Sequence, residues 1–319
     1  YKDNELLLGT FVNITSYDYS LNKSIKKQAV DSAFDVIRIL EQHTNPFDPH
    51  SEIAEINSQT DRKLDFKISP LLYPLLNEAL NISRMTDGAY DPTLWPVFKI
   101  WHFGTDSAGV PSPDRLRKYL KRVNWHNISL HNDLVYFAQP DMGIDLSGIS
   151  KGYAVELARK AMLSFGLRNF IIDAGGNLGI EWHMKQPVSV YIRDPRKEGA
   201  FYGKFPVHEN AGIATSGDYQ DFFIHDSVVY HHILDPATGL PARGAVSVTV
   251  KAPNATIADG LSTALFVEGA DKAYDFVKAR PDLGAVIIYQ EDDSLAYKIS
   301  KNLRLQFMRL SAASPENAK

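Results

Sequence analysis

From residue 178 to 251 the chain reads as strand after strand: 187–192, 201–207, 211–215, 221–225, 228–234 and 245–251. Helical spacing brackets this stretch. Ile25, Ala29, Ala33, Val36, Ile37 and Leu40 predict an amphipathic helix over 23–43, and further helices are predicted at 150–165, 256–267 and 270–279. Strands and helices are mixed without strict βαβ alternation, which predicts an α+β fold. No repeat, low-complexity stretch or linker-like shift in composition divides the chain, so residues 1–319 are read as a single domain.

Other elements follow from local signals. Leu6 to Tyr17 alternates like a first strand, with Val12 and Ile14 on one face. Ser69-Pro70 predicts a helix start, and that helix ends near Gly88; Ser112-Pro113 repeats the device. Ile128–Leu130 and Leu134–Phe137 predict a hairpin around His131-Asn132-Asp133. Gly143–Leu146 reads as a short strand and Phe170-Ile171-Ile172 as a buried one. Strands at 284–290 and 295–299 close the chain.

Charge and composition exclude several classes. The 34 basic and 38 acidic side chains leave a net charge of −4, and no basic stripe exists for nucleic acid. Lys26-Lys27 and Arg115 to Arg122 are short, interrupted, solvated helix faces. No run of 18 apolar residues would span a membrane. The polar start Tyr1-Lys2-Asp3-Asn4-Glu5 lacks an apolar leader core, so the chain is read as a mature or trimmed form. The absence of cysteine excludes disulfides, thiolate metal sites and cysteine nucleophiles.

Five segments offer chemistry, and each has a plainer reading. Gly143-Ile-Asp145-Leu-Ser147-Gly148-Ile-Ser150-Lys151 leads into a helix whose first N–H groups, with Lys151, would favour an anion. Ile149 after Gly148 rules out a phosphate-binding P-loop, and a tight turn capped by Ser147 or Ser150 explains the segment equally. Asp173-Ala-Gly175-Gly176-Asn177 follows a buried strand and could line a crevice, or simply turn the chain. Asp259 and Thr263 stand four apart on a predicted helix and would present two hard oxygen ligands on one face. The plainer reading is a capping Asp and a Thr bonded back to a carbonyl. His231 and His232 point to opposite strand faces, so at most one faces any given site; Asp235 to Gly239 is turn chemistry. Gly88-Ala-Tyr90-Asp91 reads as a helix C-cap and a turn.

Taken in order, these segments resemble the ApbE family of FAD:protein FMN transferases. The succession is Leu8-Gly-Thr10, Phe47 through Asn57, Gly88 through Thr93, Asp145 through Gly152, Asp173 through Asn177, Thr215 through Tyr219, His232 through Gly239, and Ala258 through Thr263. The resemblance implies that family's α+β domain. It also implies roles. Leu8, in place of the family's usual Met, and Phe47, in place of the commoner Tyr, would lie against the flavin. Ala89, Tyr90, Asp91, Asp145, Lys151 and Leu234 would contact FAD. Gly148 through its carbonyl, and Asp259 and Thr263 through their side chains, would hold Mg2+. Ser262, where some members carry an acid, would lower the local negative charge.

The implied reaction is phosphoryl transfer from FAD to a threonine of an acceptor redox protein, with AMP leaving. A base must receive the hydroxyl proton; His232 is the first candidate and Asp259 the second. Two other readings share the same residues: a Mg2+-dependent FAD pyrophosphatase giving FMN and AMP, and a non-enzymatic FAD-binding protein. The oxygen pair at 259 and 263 argues against a pure binder. Asp259-Gly-Leu-Ser-Thr-Ala-Leu only faintly resembles the family's acceptor motif and lacks its final Thr or Ser, so self-flavinylation is not expected. The resemblance implies a periplasmic setting, with the full-length form a membrane-tethered lipoprotein.

Overall fold

Alternation along the strands decides how the layers stack. The computed structural model describes residues 1–310; residues 311–319 of the expected domain lie outside the described residues. Eight strands form one sheet: β1 (Lys2–Leu7), β2 (Thr10–Ser16), β3 (Phe170–Ala174), β4 (Asn177–Glu181), β5 (Ala211–Gly217), β6 (Ser247–Ala252), β7 (Gly284–Glu291) and β8 (Ser294–Ile299). They lie side by side in chain order, every pair antiparallel. The fold is α+β, as expected.

Helices α1 (Lys23–Thr44), α2 (Leu72–Met85), α3 (Ser147–Ser164) and α4 (Ala255–Glu268) gather on one side of this sheet, α1, α3 and α4 against the strands and α2 against α3 and α4. Ala33 and Ile37 of α1, Val155 and Ala158 of α3, and Leu261 and Leu265 of α4 bury there with Ala285 and Ile287 of β7. Val286 and Ile288 point the other way. They meet Val190, Ile192, Phe205 and Val207 from a small sheet of strands Val188–Arg193, Phe201–Val207 and Met308–Arg309. Strand β7 is therefore apolar on both faces, which is why it reads as an unbroken hydrophobic run.

Three expectations need correction. The first strand is a hairpin, not one strand over 6–17. Leu8 (φ 54°) and Gly9 (φ 69°) form a two-residue turn with both residues in the left-handed region. Leucine there costs about 1–2 kcal/mol, so it gives no turn signal. Second, Gly143–Leu146 is not a strand. In place of a neighbouring strand, Asn57 Nδ2 donates to the Ile144 carbonyl (2.8 Å) and Asn57 Oδ1 accepts from the Ile144 N–H (2.7 Å), and the Asp145 N–H donates to the Pro92 carbonyl (2.8 Å). Third, α3 begins at Ser147, three residues before the predicted start. Elsewhere Ser69 Oγ does accept from the Leu72 N–H (3.1 Å).

Asn57→Ala would leave both backbone groups of the buried Ile144 unpaired. We expect a loss of about 2–4 kcal/mol, read from urea denaturation. An unchanged midpoint would show that water substitutes freely at this position.

Candidate active site

The Leu8–Gly9 turn, the Gly175–Gly176 turn between β3 and β4, and the start of α3 converge on a cavity of about 450 Å3. Leu8, Phe47, Ala89, Tyr90, Asp91, Asp145, Gly148, Lys151, His232, Leu234, Asp259 and Thr263 all line it.

Helix packing brings the oxygen groups together. A Cβ on Gly152 of α3 would lie 2.2 Å from the Ala255 carbonyl oxygen and 2.6 Å from Asp259 Cβ, so only glycine lets α3 and α4 approach this closely. At that crossing, Thr263 Oγ1 donates to the Gly148 carbonyl (3.2 Å). The Gly152 N–H, which an unbroken helix would aim at the Gly148 carbonyl, donates to Asp259 Oδ2 (2.8 Å). The plainer reading of this pair thus fails. Asn254 caps α4, with Oδ1 accepting from the Ile257 N–H, and Thr263 reaches another helix. Ser262 faces away, its hydroxyl bonded to the Asp259 carbonyl and to Ser216, and it does not line the cavity.

The start of α3 differs from expectation. Neither Ser147 nor Ser150 caps it. Asp145 Oδ1 accepts from the Ser147 N–H (2.9 Å), so a carboxylate already uses one of the free donors. Positive charge for an anion then rests mainly on Lys151. Burial pushes Asp259 and Asp145 above the ordinary carboxylate value of 3.8, and Lys151 pulls both back. Tyr90 is driven well up by burial and by the charges of Asp145, Asp259 and Asp91.

Asp91 is committed within the protein. Oδ1 accepts from the Thr93 N–H (2.8 Å) and hydroxyl (2.6 Å), and Oδ2 from the Trp125 N–H (3.0 Å). It shapes the wall by holding that loop. The other end of the cavity is aromatic: exposed Phe47 lies edge-on to Trp95 (5.3 Å) and near Phe98 (6.3 Å). Leu8 joins this end through its turn, its N–H donating to Glu41 Oε1 (2.9 Å).

The histidines divide as strand geometry requires. His231 packs edge-on to Phe266 (5.4 Å), and its Nε2 pairs with the Ala242 carbonyl (3.0 Å); burial lowers its pKa to about 4. His232 lines the cavity just past the strand end at His231, earlier than the expected 234. Burial also lowers the His232 pKa, Asp221 opposes this, and Lys151 reinforces it.

Tyr90 Oη, Asn177 Oδ1 and His232 Nδ1 are buried with no hydrogen-bond partner among the described residues. All three residues line the cavity, and orphaned polar atoms there mark a ligand surface. Asn177 lies in a segment that stood out in the sequence, but its own role did not. Glu41 and Asp221 gave no signal.

Among the described residues, no group of three or more His, Cys, Asp or Glu is placed to hold a metal. The donors present are of another kind: one carboxylate, one hydroxyl and one carbonyl. Such a set suits Mg2+, whose shell is commonly completed by water and substrate phosphate. Asp91, Asp145 and Asp259 against Lys151 also leave the cavity acidic, so a cation held there would lessen the repulsion on a bound diphosphate.

Asp259 and Asp145, like Asp91, are buried acids with raised pKa values, and the first two contribute a pH dependence. Their folded pKa values exceed 3.8, so between 3.8 and those values the folded state holds protons that the unfolded state has lost. Stability then falls as pH rises through that window. Asp259→Asn removes one contribution. The metal-free variant should melt above the wild type at neutral pH, with the gap closing as pH falls below 3.8. A gap independent of pH would contradict this origin.

An antiparallel sheet under helices, with a cavity built from an aromatic end, a lysine and an oxygen trio, is an arrangement suited to a ligand with a flat ring and a phosphate group. The model of the ApbE family matches residues 8–287, and this chain belongs to that family. An FAD:protein FMN transferase of Treponema pallidum is 30% identical over 309 residues, covering 91% of this chain and 85% of its own length. That of Haemophilus influenzae is 27% identical, with 92% and 87% covered. The crystal structure of the ApbE protein of Thermotoga maritima superposes with a TM-score of 0.86 at 31% identity, covering 96% of this chain and 98% of that one. The flavin transferase ApbE of Vibrio cholerae, 23% identical, shares the fold with a TM-score of 0.81.

Proposed function

We propose that this protein is an FAD:protein FMN transferase that moves FMN from FAD to a threonine hydroxyl of an acceptor redox protein and releases AMP. The observation that carries the reading is the meeting of Gly148, Thr263 and Asp259 beside Lys151 inside a cavity with an aromatic end. Family membership and the names of the relatives support it.

Phe47 and Leu8 would receive the isoalloxazine ring, where a flat aromatic face packs well. Lys151 would hold the diphosphate and keep the attacked phosphorus in place. The acceptor hydroxyl oxygen bonds to the flavin-side phosphorus, the P–O bond to AMP breaks, and the hydroxyl proton passes to His232. A neutral ring is ready to accept it, and burial keeps His232 neutral. Gly148, Asp259 and Thr263 would hold Mg2+, which when bound would neutralise phosphate oxygens and stabilise charge in the transition state. An extracytoplasmic setting and lipoprotein tether are part of this proposal, supported by family membership alone.

Nucleotide analysis after incubation with FAD and Mg2+ tests the reading. We expect AMP release that depends on an acceptor domain bearing the flavinylation threonine and stops with EDTA. Equal amounts of free FMN and AMP without acceptor would replace it with a pyrophosphatase. Intact FAD throughout would leave a flavin carrier.

A further inference from the structure

Ser216 sits near the end of β5, beside α4, and lines the cavity although its side chain is buried. Its hydroxyl oxygen lies 2.9 Å from Ser262 Oγ and 3.4 Å from Thr263 Oγ1. Ser262 Oγ in turn lies 2.9 Å from the Asp259 carbonyl oxygen. Each hydroxyl has one proton to give and lone pairs to accept with, whereas a carbonyl only accepts. The Ser262 proton is therefore given to the Asp259 carbonyl, and the Ser216 proton to Ser262. The lone pairs of Ser216 are left for Thr263. In this structure the Thr263 proton goes instead to the Gly148 carbonyl, 3.2 Å away.

Two oxygens that both turn lone pairs on one cation cannot also share a proton between them. If Gly148 and Thr263 hold Mg2+, the Thr263 proton needs another acceptor. The usual choice on a helix is the carbonyl one turn back, here that of Asp259. That carbonyl is filled by Ser262 and, as in any α-helix, by the N–H four residues on, that of Thr263. Ser216 Oγ is the acceptor left within reach.

We propose that Ser216 is a positioning residue of the Mg2+ site: it accepts the hydrogen bond that Thr263 withdraws from Gly148, and so keeps the Thr263 oxygen turned to the ion. This inference rests on the proposed transfer reaction and its ion. Hydrogen-bond partners behind a metal's ligands fix their orientation and raise their basicity. Here the chain runs from Thr263 through Ser216 and Ser262 to the main chain of Asp259, so it ties together the two residues that offer side-chain oxygens.

The test compares wild type, Ser216→Ala, Ser262→Ala and the double variant in the intact chain. Ser216→Ala should raise the Mg2+ concentration for half-maximal transfer by about ten- to a hundredfold, with KM for FAD at saturating Mg2+ unchanged. Ser262→Ala removes the acceptor that fixes the Ser216 proton and should give part of that loss. The double variant should be no weaker than Ser216→Ala, because one chain is cut twice. Mn2+ titrated into the free protein and followed by EPR gives a reading without turnover: the Kd should rise by the same factor in Ser216→Ala. Metal-free melts should stay close to wild type, because Ser262 keeps its bond to Asp259. An unshifted Mn2+ affinity would overturn the proposal, and with a lowered melt would make Ser216 a packing residue. A raised KM for FAD with an unchanged Mg2+ requirement would also overturn it, making Ser216 a substrate contact. A wild type that binds no Mn2+ would refute the oxygen set and this proposal together. One that binds Mn2+ but never transfers FMN would refute the reaction instead, while the titration would still judge the chain.

Discussion

Asp259→Ala is expected to abolish FMN transfer, lowering kcat by at least about a thousandfold, or about 4 kcal/mol in the barrier. The carboxylate is the one formal charge in the oxygen set, since Thr263 and Gly148 supply neutral oxygens. Without it the cavity keeps Lys151 and the aromatic end, so FAD alone should still bind. The folded state should survive. Alanine leaves the Gly152 N–H without its acceptor, a cost of about 1–3 kcal/mol, but it also removes a buried acid whose charged form is disfavoured. Asp259→Asn separates the two effects. It keeps an oxygen for Gly152 while removing the charge, and should be as inactive as alanine but more stable. Steady-state transfer rates and thermal melts of both variants check this. An active Asp259→Asn would show that charge at this position is not required.

The second large effect is structural. Gly152→Ala should lower stability by about 3 kcal/mol, the upper end of the usual range for overfilling a packed interior. Alanine normally gains up to about 1 kcal/mol over glycine in a helix, so the expected sign is opposite to propensity. The reason is that the new methyl would meet backbone, the Ala255 carbonyl oxygen, and not a side chain that can swing aside. Helices α3 and α4 must separate, which pulls Gly148 away from Thr263. Transfer should therefore fall with stability, and the melting temperature should drop by roughly 5–10 °C. Gly109→Ala is the control. Its new methyl would find only the Ser107 carbonyl oxygen, at 3.9 Å, and should change stability by less than about 0.5 kcal/mol. Equal behaviour of the two variants would refute the packing argument.

The parts of the site legible in the sequence are those set by short spacing. Asp259 and Thr263 share a helix face because residues four apart always do, and both reach the cavity. His231 and His232 divide between core and cavity as the alternation predicts, although the strand itself ends at His231. What spacing cannot supply is the partner across the fold. Thr263 meets Gly148 only because Gly152 lets two helices touch, and that position came from the family's motif order. Asn57 standing in for a strand at Ile144 has no local signature, since the pattern of 143–146 is that of a paired strand. The Leu8–Gly9 turn was hidden for a different reason: tertiary structure holds a leucine where glycine or asparagine is the local choice.

The most direct measurement is the intact mass of an acceptor domain after incubation with this protein, FAD and Mg2+, with a threonine-to-valine acceptor as control. The account expects a gain of one FMN on the threonine acceptor, none on the valine control, and none with Asp259→Ala. An acceptor that stays unmodified while wild-type protein binds FAD would contradict it.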